Sequence, residues 1–182
     1  FFVEGQPRSD DSVERRGLNA VYFLVTPDFF KTMKTAVVEG RDFEARDTAT
    51  APWVGVINDT AALRFWPGEN PIGKRLVLDV VAGEQPREVV GVVRNVPLRY
   101  EKSETEPVIY ASYMQQPSRY RGAMGNMFGQ MTFLIRTSGD PLSLAPAARK
   151  AVAEIDPNRP IANVQAMGHI GGIVRDRRYT AL

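Results

Sequence analysis

Residues 68–75 read "GENPIGKR", and how they are interpreted decides how the rest of the chain is read. Gly68, four intervening residues, then Gly73 and Lys74 have the spacing of a phosphate-binding loop. Such a loop needs a hydroxyl residue after the lysine to hold Mg²⁺, a strand before it and a helix after it. Here Arg75 follows the lysine, and the elements come in the opposite order. Upstream, "WVGVIND" (53–59) reads as a strand whose end, Asn58-Asp59-Thr60, caps a helix carrying Ala61, Ala62, Leu63, Phe65 and Trp66. Pro67-Gly68 stops that helix. Downstream, "KRLVLDV" (74–80) alternates Leu76, Leu78 and Val80 with Arg75, Val77 and Asp79, the period of a strand. Pro71 also has no N–H to offer a phosphate. The stretch is a tight helix-to-strand turn.

Working outward, "REVVGVVRNV" (87–96) is a strand apolar on both faces, joined to its predecessor by a hairpin through Gly83-Glu84. "PVIYASY" (107–113) is another. Toward the N-terminus, a strand at about 18–25 leads into a short helix, with Thr26 as its cap and Pro27 at its first position. "TAVVEGRDF" (35–43) is a short strand ending in a glycine turn. Toward the C-terminus, "MTFLIRT" (131–137) and "PIANVQAM" (160–167) read as strands flanking a helix, "DPLSLAPAARKAVAEID" (140–156). Asp140 caps that helix and Pro141 opens it, with Leu144, Ala148, Ala151, Val152 and Ile155 on one stripe. Residues 168–182 read as a further helix. The fold class is α+β.

Composition narrows the function. The chain has 182 residues, enough for one domain or two small lobes around a real core. Its 23 basic and 21 acidic side chains are interspersed, which argues against a nucleic-acid groove. The absence of cysteine excludes disulfides, cysteine-dependent zinc sites and a thiol nucleophile. The longest apolar run, Ala20–Val25, falls far short of the roughly 20 residues of a membrane-spanning helix, and no signal peptide is evident. The chain begins with Phe1 and reads as a piece of something larger.

Few residues suggest chemistry. His169 is the lone histidine, and "AMGHIGG" around it has no nucleophile or orienting carboxylate. Neither Glu39, Asp42, Glu44 and Asp47 nor Glu101, Glu104 and Glu106 has the ligand spacing of a calcium loop. No cofactor or metal is expected. The segment 113–131 is more unusual, holding four of the six methionines. Arg119, Tyr120, Arg121, Met124, Met127 and Phe128 are the candidate contact residues for a partner. Packing against the fold, an adaptable protein or ligand contact, and soft thioether ligation of Cu(I) are the readings open to that segment. Arg175, Arg177 and Arg178 form a basic cluster, suited to a surface helix or to the flank of a membrane span.

The order of segments carries a resemblance. "FFKTMKTAVVEGRDF" (29–43), "VGVINDTAALRFWPGENPIGKRL" (54–76), "EVVGVVRNV" (88–96), "PVIYASYMQQ" (107–116), "FLIRTSGDP" (133–141), "IDPNRPIANVQAM" (155–167) and "RRYTAL" (177–182) resemble the periplasmic core domain of MacB-type ABC transporter permeases, of the FtsX-like superfamily. Its most specific part is the block around "RFWPGENPIGKRL", so the apparent phosphate loop becomes a family turn. The resemblance implies two lobes: a porter-like βαβ lobe built from residues 1–38 and 131–166, and a smaller strand-rich lobe, 39–130, inserted into it. Residues 167–182 would be a stalk helix toward a membrane span. The family domain usually begins with a further βα segment, which does not precede Phe1 here.

The resemblance further implies a non-enzymatic domain on the periplasmic side of the inner membrane, part of an ABC-type efflux permease. It would transmit conformational change to a periplasmic partner or substrate. The partners implied are a cytoplasmic ATP-binding subunit, a periplasmic adaptor protein and a second permease copy. The alternatives are a ligand-sensing or substrate-binding periplasmic domain, which calls for an apolar pocket, and a hydrolase, which calls for a clustered acid, base and nucleophile.

Overall fold

A computed structural model describes residues 1–4, 20–78, 84–95, 106–116, 132–158, 161 and 163–166. These fall into two compact units, the first running to Thr132 and the second from Phe133 onward.

The first unit is built on a seven-stranded mixed sheet. Its strands are β1 (Phe2–Val3), β2 (Val21–Val25), β3 (Val37–Gly40), β4 (Val54–Asn58), β5 (Arg75–Val77), β6 (Arg87–Val93) and β7 (Val108–Ser112). The order is β1-β5-β6-β4-β7-β2, with β3 also pairing β6. β4 lies at the middle, parallel to β6 and antiparallel to β7, and β2 runs parallel to β7. β5 and β3 share one flank of β6. β5 pairs its first residues, Arg87 and Glu88, while β3 pairs Gly91, Val92 and Val93. β2 is therefore hydrogen-bonded into the same sheet as the central strands.

Both faces of the central strands β4, β6 and β7 are buried, which explains why they read as continuous apolar runs. On one face Ile57, Leu76, Val89, Val92 and Ile109 pack beneath Ala61 and Phe65 of helix α2 (Asp59–Phe65) and its C-cap Trp66. On the other, Val54, Val56, Val90, Val93 and Tyr110 pack with Phe43 and with Phe30 of helix α1 (Phe29–Met33). Val89 and Val92 share a face although strict alternation would separate them. The cause is a bulge: the register slips so that Gly55 pairs Val89 while Val56 pairs Gly91, leaving Val90 as the extra residue.

Three sequence expectations need correction. Helix α1 begins at Phe29, not after a Thr26 cap, because Asp28 sits in the left-handed region at φ 67° and makes no side-chain cap. Thr26 and Pro27 form the preceding turn instead, its carbonyl accepting the Phe29 amide at 3.3 Å. Residues 132–137 carry no strand pairing, and neither do 161 and 163–166. Alternating apolar residues favour an extended backbone, but a ladder needs a partner, and Phe133 and Ile135 are exposed here. The long helix forms in two parts. Pro141–Leu144 is a 3₁₀ turn capped by Asp140, whose Oδ1 accepts the Leu142 amide at 3.2 Å; helix α3 (Ala145–Ile155) follows. Pro146 has no N–H for an α-type bond across that joint. On α3, Val152 and Ala148 are half-buried, as Leu144 is before it, whereas Ile155 is 87% exposed.

Candidate functional site

The turn at 68–75 is closed by its own protein. Gly68 and Gly73 take φ 76° and 81°, the conformations that require glycine. The Ile72 amide donates to Asn70 Oδ1 at 2.8 Å, the Gly73 amide to the Val89 carbonyl at 2.9 Å, and the Lys74 amide to the Pro71 carbonyl at 3.0 Å. Lys74 Nζ pairs with Glu69 Oε2 at 2.7 Å. A phosphate cradle needs free amides and a free cation; both are already engaged here.

The acidic stretch 39–47 is likewise satisfied internally. Arg41 grips Asp47 through two bonds of 2.8 and 2.9 Å, and Asp47 Oδ2 also accepts the Glu44 amide at 2.8 Å. Burial acts to raise the Asp47 pKa, but the Arg41 bonds, the Glu44 amide and the nearby positive charges outweigh it and hold it below the usual value. Burial pushes the Asp42 carboxyl up, offset in part by the Phe43 amide. Among the described residues no group of three or more acidic or histidine side chains could hold a metal ion.

The approach to the methionine-rich segment is the most structured part of the candidate surface. β7 ends at Ser112, whose hydroxyl caps a 3₁₀ turn, Tyr113–Gln115, leaving Tyr113 and Met114 exposed. Gln115 turns inward and is fully buried. Its Oε1 accepts the Val54 amide at 2.9 Å, and its Nε2 donates to the Thr48 and Pro52 carbonyls at 3.2 and 3.1 Å. Its backbone carbonyl accepts from Arg87 Nη2 at 3.0 Å. Gln116 Oε1 accepts the Tyr22 hydroxyl at 3.2 Å. Burial pushes the Tyr22 phenol up to about 12, a rise that the Arg87 charge partly offsets.

Arg87 is the residue that sequence reasoning missed. It is 0% exposed, stacks 4.4 Å above the Trp53 ring and meets Glu84 Oε1 at 3.4 Å. Its Nε and Nη1 find no hydrogen-bond partner among the described residues. A hint lay in its position at the start of a strand apolar on both faces, where no solvent-facing side exists for a charge. An open cleft of about 460 Å³ lies nearby, lined by Pro52, Trp53, Arg75, Gln85, Pro86 and Glu88. Its walls mix charge and apolar surface, and Arg75 is already engaged with Glu4.

The candidate contact residues Arg119, Tyr120, Arg121, Met124, Met127 and Phe128 lie outside the described residues, as do His169 and the arginines at 175, 177 and 178. Among the described residues, no helix is long and apolar enough to cross a membrane.

A mixed α+β sheet domain, with a closed turn where a nucleotide loop was suggested, defines the class. Residues 3–155 match the model of the MacB-like periplasmic core domain, and the chain belongs to that family of ABC transporter permease domains. Among solved structures it is similar to the periplasmic region of MacB from Actinobacillus actinomycetemcomitans, at 14% identity and TM-score 0.55, covering 85% of this chain. This chain spans 65% of the length of that one. It is also similar to the extracellular domain of the ABC-type transporter YknZ from Gram-positive bacteria, at 18% identity and TM-score 0.49, covering 79% of this chain and 68% of that one. The likeness to MacB is one of fold. No individually curated protein matches the chain.

Proposed function

We propose that the chain is a non-catalytic domain on the periplasmic side of the inner membrane, within an ABC-type efflux permease. It transmits conformational change between a cytoplasmic ATP-binding subunit and a periplasmic adaptor or substrate. The observation that carries this reading is the family match over residues 3–155. The internal closure of the turn at 68–75 fits this reading, because the turn offers no free cradle for a phosphate.

A lever requires parts that move as packed bodies and contacts that differ between two states. Strands β4, β6 and β7, buried on both faces, have the packing such a body needs. In this reading residues 1–38 and 131–166 form the porter-like lobe and 39–130 the inserted one. Residues 167–182 form the stalk, which sets Arg175, Arg177 and Arg178 near the lipid headgroups. The permease works as a homodimer, and the segment with Arg119, Tyr120, Arg121, Met124, Met127 and Phe128 contacts the adaptor.

The test is a distance measurement in the full-length permease with its ATP-binding subunit. This domain contributes no cysteine, so a spin label on Leu63→Cys, at a position 73% exposed, reports one distance across the dimer in an otherwise cysteine-free permease. Transmission predicts that the distance distribution differs between the ATP-bound state and the state after hydrolysis. Identical distributions in both states would remove it.

A further inference from the structure

The three central strands share a problem of specification. β4 "VGVIN", β6 "REVVGVV" and β7 "VIYAS" are buried along almost their whole length, on both faces. In a strand with one wet face, a one-residue slip moves apolar side chains into water and is strongly disfavoured. Here a slip exchanges one apolar residue for another along the strand interiors, leaving the polar strand ends, Asn58, Arg87 and Ser112, to tell the registers apart. β6 makes the ambiguity concrete, since it already carries an extra residue at Val90 and pairs out of simple alternation. The hydrophobic pattern therefore does not by itself choose one register.

A buried charge is the wrong tool for adding stability. Desolvating an arginine and a carboxylate offsets most of their attraction, and two Arg87 nitrogens find no hydrogen bond among the described residues. Its geometry is suited to something else. From the first position of β6, the guanidinium reaches the Gln115 carbonyl just past the end of β7 and the Trp53 ring just before β4. Gln115 then passes the constraint to the first amide of β4, through its bond to Val54. Each of the three strands is thus held at one terminus by the same polar node.

We propose that Arg87, neutralised by Glu84 and relayed by Gln115, pins the register of β6 against β4 and β7, whose mutual register Asn58 also holds at the far end. Any slip of β6 by one residue turns the guanidinium to the opposite sheet face, away from Gln115 and Trp53. The pin acts against alternative pairings more than it adds to stability.

The test removes both charges at once in the 182-residue chain, as Arg87→Met with Glu84→Leu, and reads global and local order separately. The proposal expects a thermal midpoint within about 3 °C of the parent or above it. It also expects the Val54 amide to exchange about tenfold faster relative to Ile57, with more than one set of β6 amide resonances. A single set of resonances with unchanged Val54 protection overturns the proposal. So does a large fall in the midpoint with one register kept, because the pair would then serve stability. Arg87→Lys keeps the charge but cannot stack on Trp53 and reach Gln115 together; it is expected to raise Val54 exchange by a few-fold. If the double variant fails to fold and the lysine variant keeps one register with native Val54 protection, the proposal is likewise overturned.

Discussion

Gly91 faces the backbone of Arg41 with no room for a side chain: a Cβ there would collide with the Arg41 carbonyl oxygen. The contact arises where β3 leaves β6, at the bulge, and the Arg41 amide is bound to the Val90 carbonyl at 2.8 Å on the same spot. Because the obstacle is backbone, it cannot swing aside. Gly91→Ala is expected to cost about 3 kcal/mol in chemical denaturation. Gly68→Ala, at a positive φ but with open space around it, is expected to cost only about 1 kcal/mol. Equal losses at the two sites would mean that β3 can retreat from β6.

Asn58 serves two elements with one side chain. Its Oδ1 accepts the Ala61 amide at 2.9 Å as the cap of α2 and the Val108 amide at 2.8 Å at the start of β7. Its Nδ2 donates to the Glu106 carbonyl at 2.9 Å. Asn58→Ala strands two buried amides, those of Ala61 and Val108, and is expected to cost about 3 kcal/mol. Asn58→Asp keeps the acceptor but turns a carboxylate toward the Glu106 carbonyl, which raises that acid's pKa in the fold. Its deficit should shrink as the pH falls from 7 to 5, since the protonated acid can donate to that carbonyl. A deficit independent of pH would contradict this role for Nδ2.

Asn58 also marks the limit of what the sequence made legible. Its capping of α2 is local, three residues away, and could be read from the run Asn58-Asp59-Thr60. Its bond to Val108 joins residues fifty positions apart, and no pattern announces it. The same divide runs through the fold. The turn at 68–75 and the strand–helix–strand order around it followed from residue spacing. The pairing of β2 beside β7, the bulge at Val90 and the buried charge of Arg87 depend on partners distant in the chain. The strands expected at 131–137 and 160–167 are unpaired at their described residues for a related reason, since alternation describes one strand and a ladder needs two. The family resemblance reached the class of protein, whereas the candidate contact residues at 119–128 lie outside the described residues.

The closed turn at 68–75 gives a direct binding prediction. Titration of MgATP into the domain should produce no saturable heat up to millimolar nucleotide, because the three turn amides are already bonded. Lys74→Ala removes a largely exposed pair with Glu69 and should cost at most about 1 kcal/mol. Saturable MgATP binding that Lys74→Ala abolishes would reinstate the phosphate site.

The adaptor contact is tested by capture. The domain is incubated with a purified periplasmic adaptor from the same cells, alongside a variant carrying Arg119→Ala, Met124→Ala, Met127→Ala and Phe128→Ala. Circular dichroism verifies that the variant folds. The expected outcome is retention by the parent and at least about a tenfold weaker Kd for the variant, since a few anchors dominate most interfaces. Equal capture by both would move the contact elsewhere on the domain.

Asp47 should give the domain a measurable acid sensitivity. Its pKa is depressed in the fold, burial being outweighed by the Arg41 bonds, the Glu44 amide and the neighbouring positive charges. A depressed acid binds its proton more weakly folded than unfolded. Its contribution is therefore complete above the unfolded carboxylate value of about 4 and is lost as the pH falls through the lower folded value. Asp42 runs the other way: burial raises its pKa, so acidification through that value adds stability. The two are separated by substitution. Asp47→Asn breaks the paired bonds to Arg41 and is expected to cost about 1–3 kcal/mol at pH 7. The urea midpoints of parent and variant should draw together as the pH falls through the lowered folded value of Asp47, where the parent's carboxylate takes up its proton. A gap of constant size from pH 7 to pH 2 would show that the pairing with Arg41 is not what lowers the Asp47 pKa.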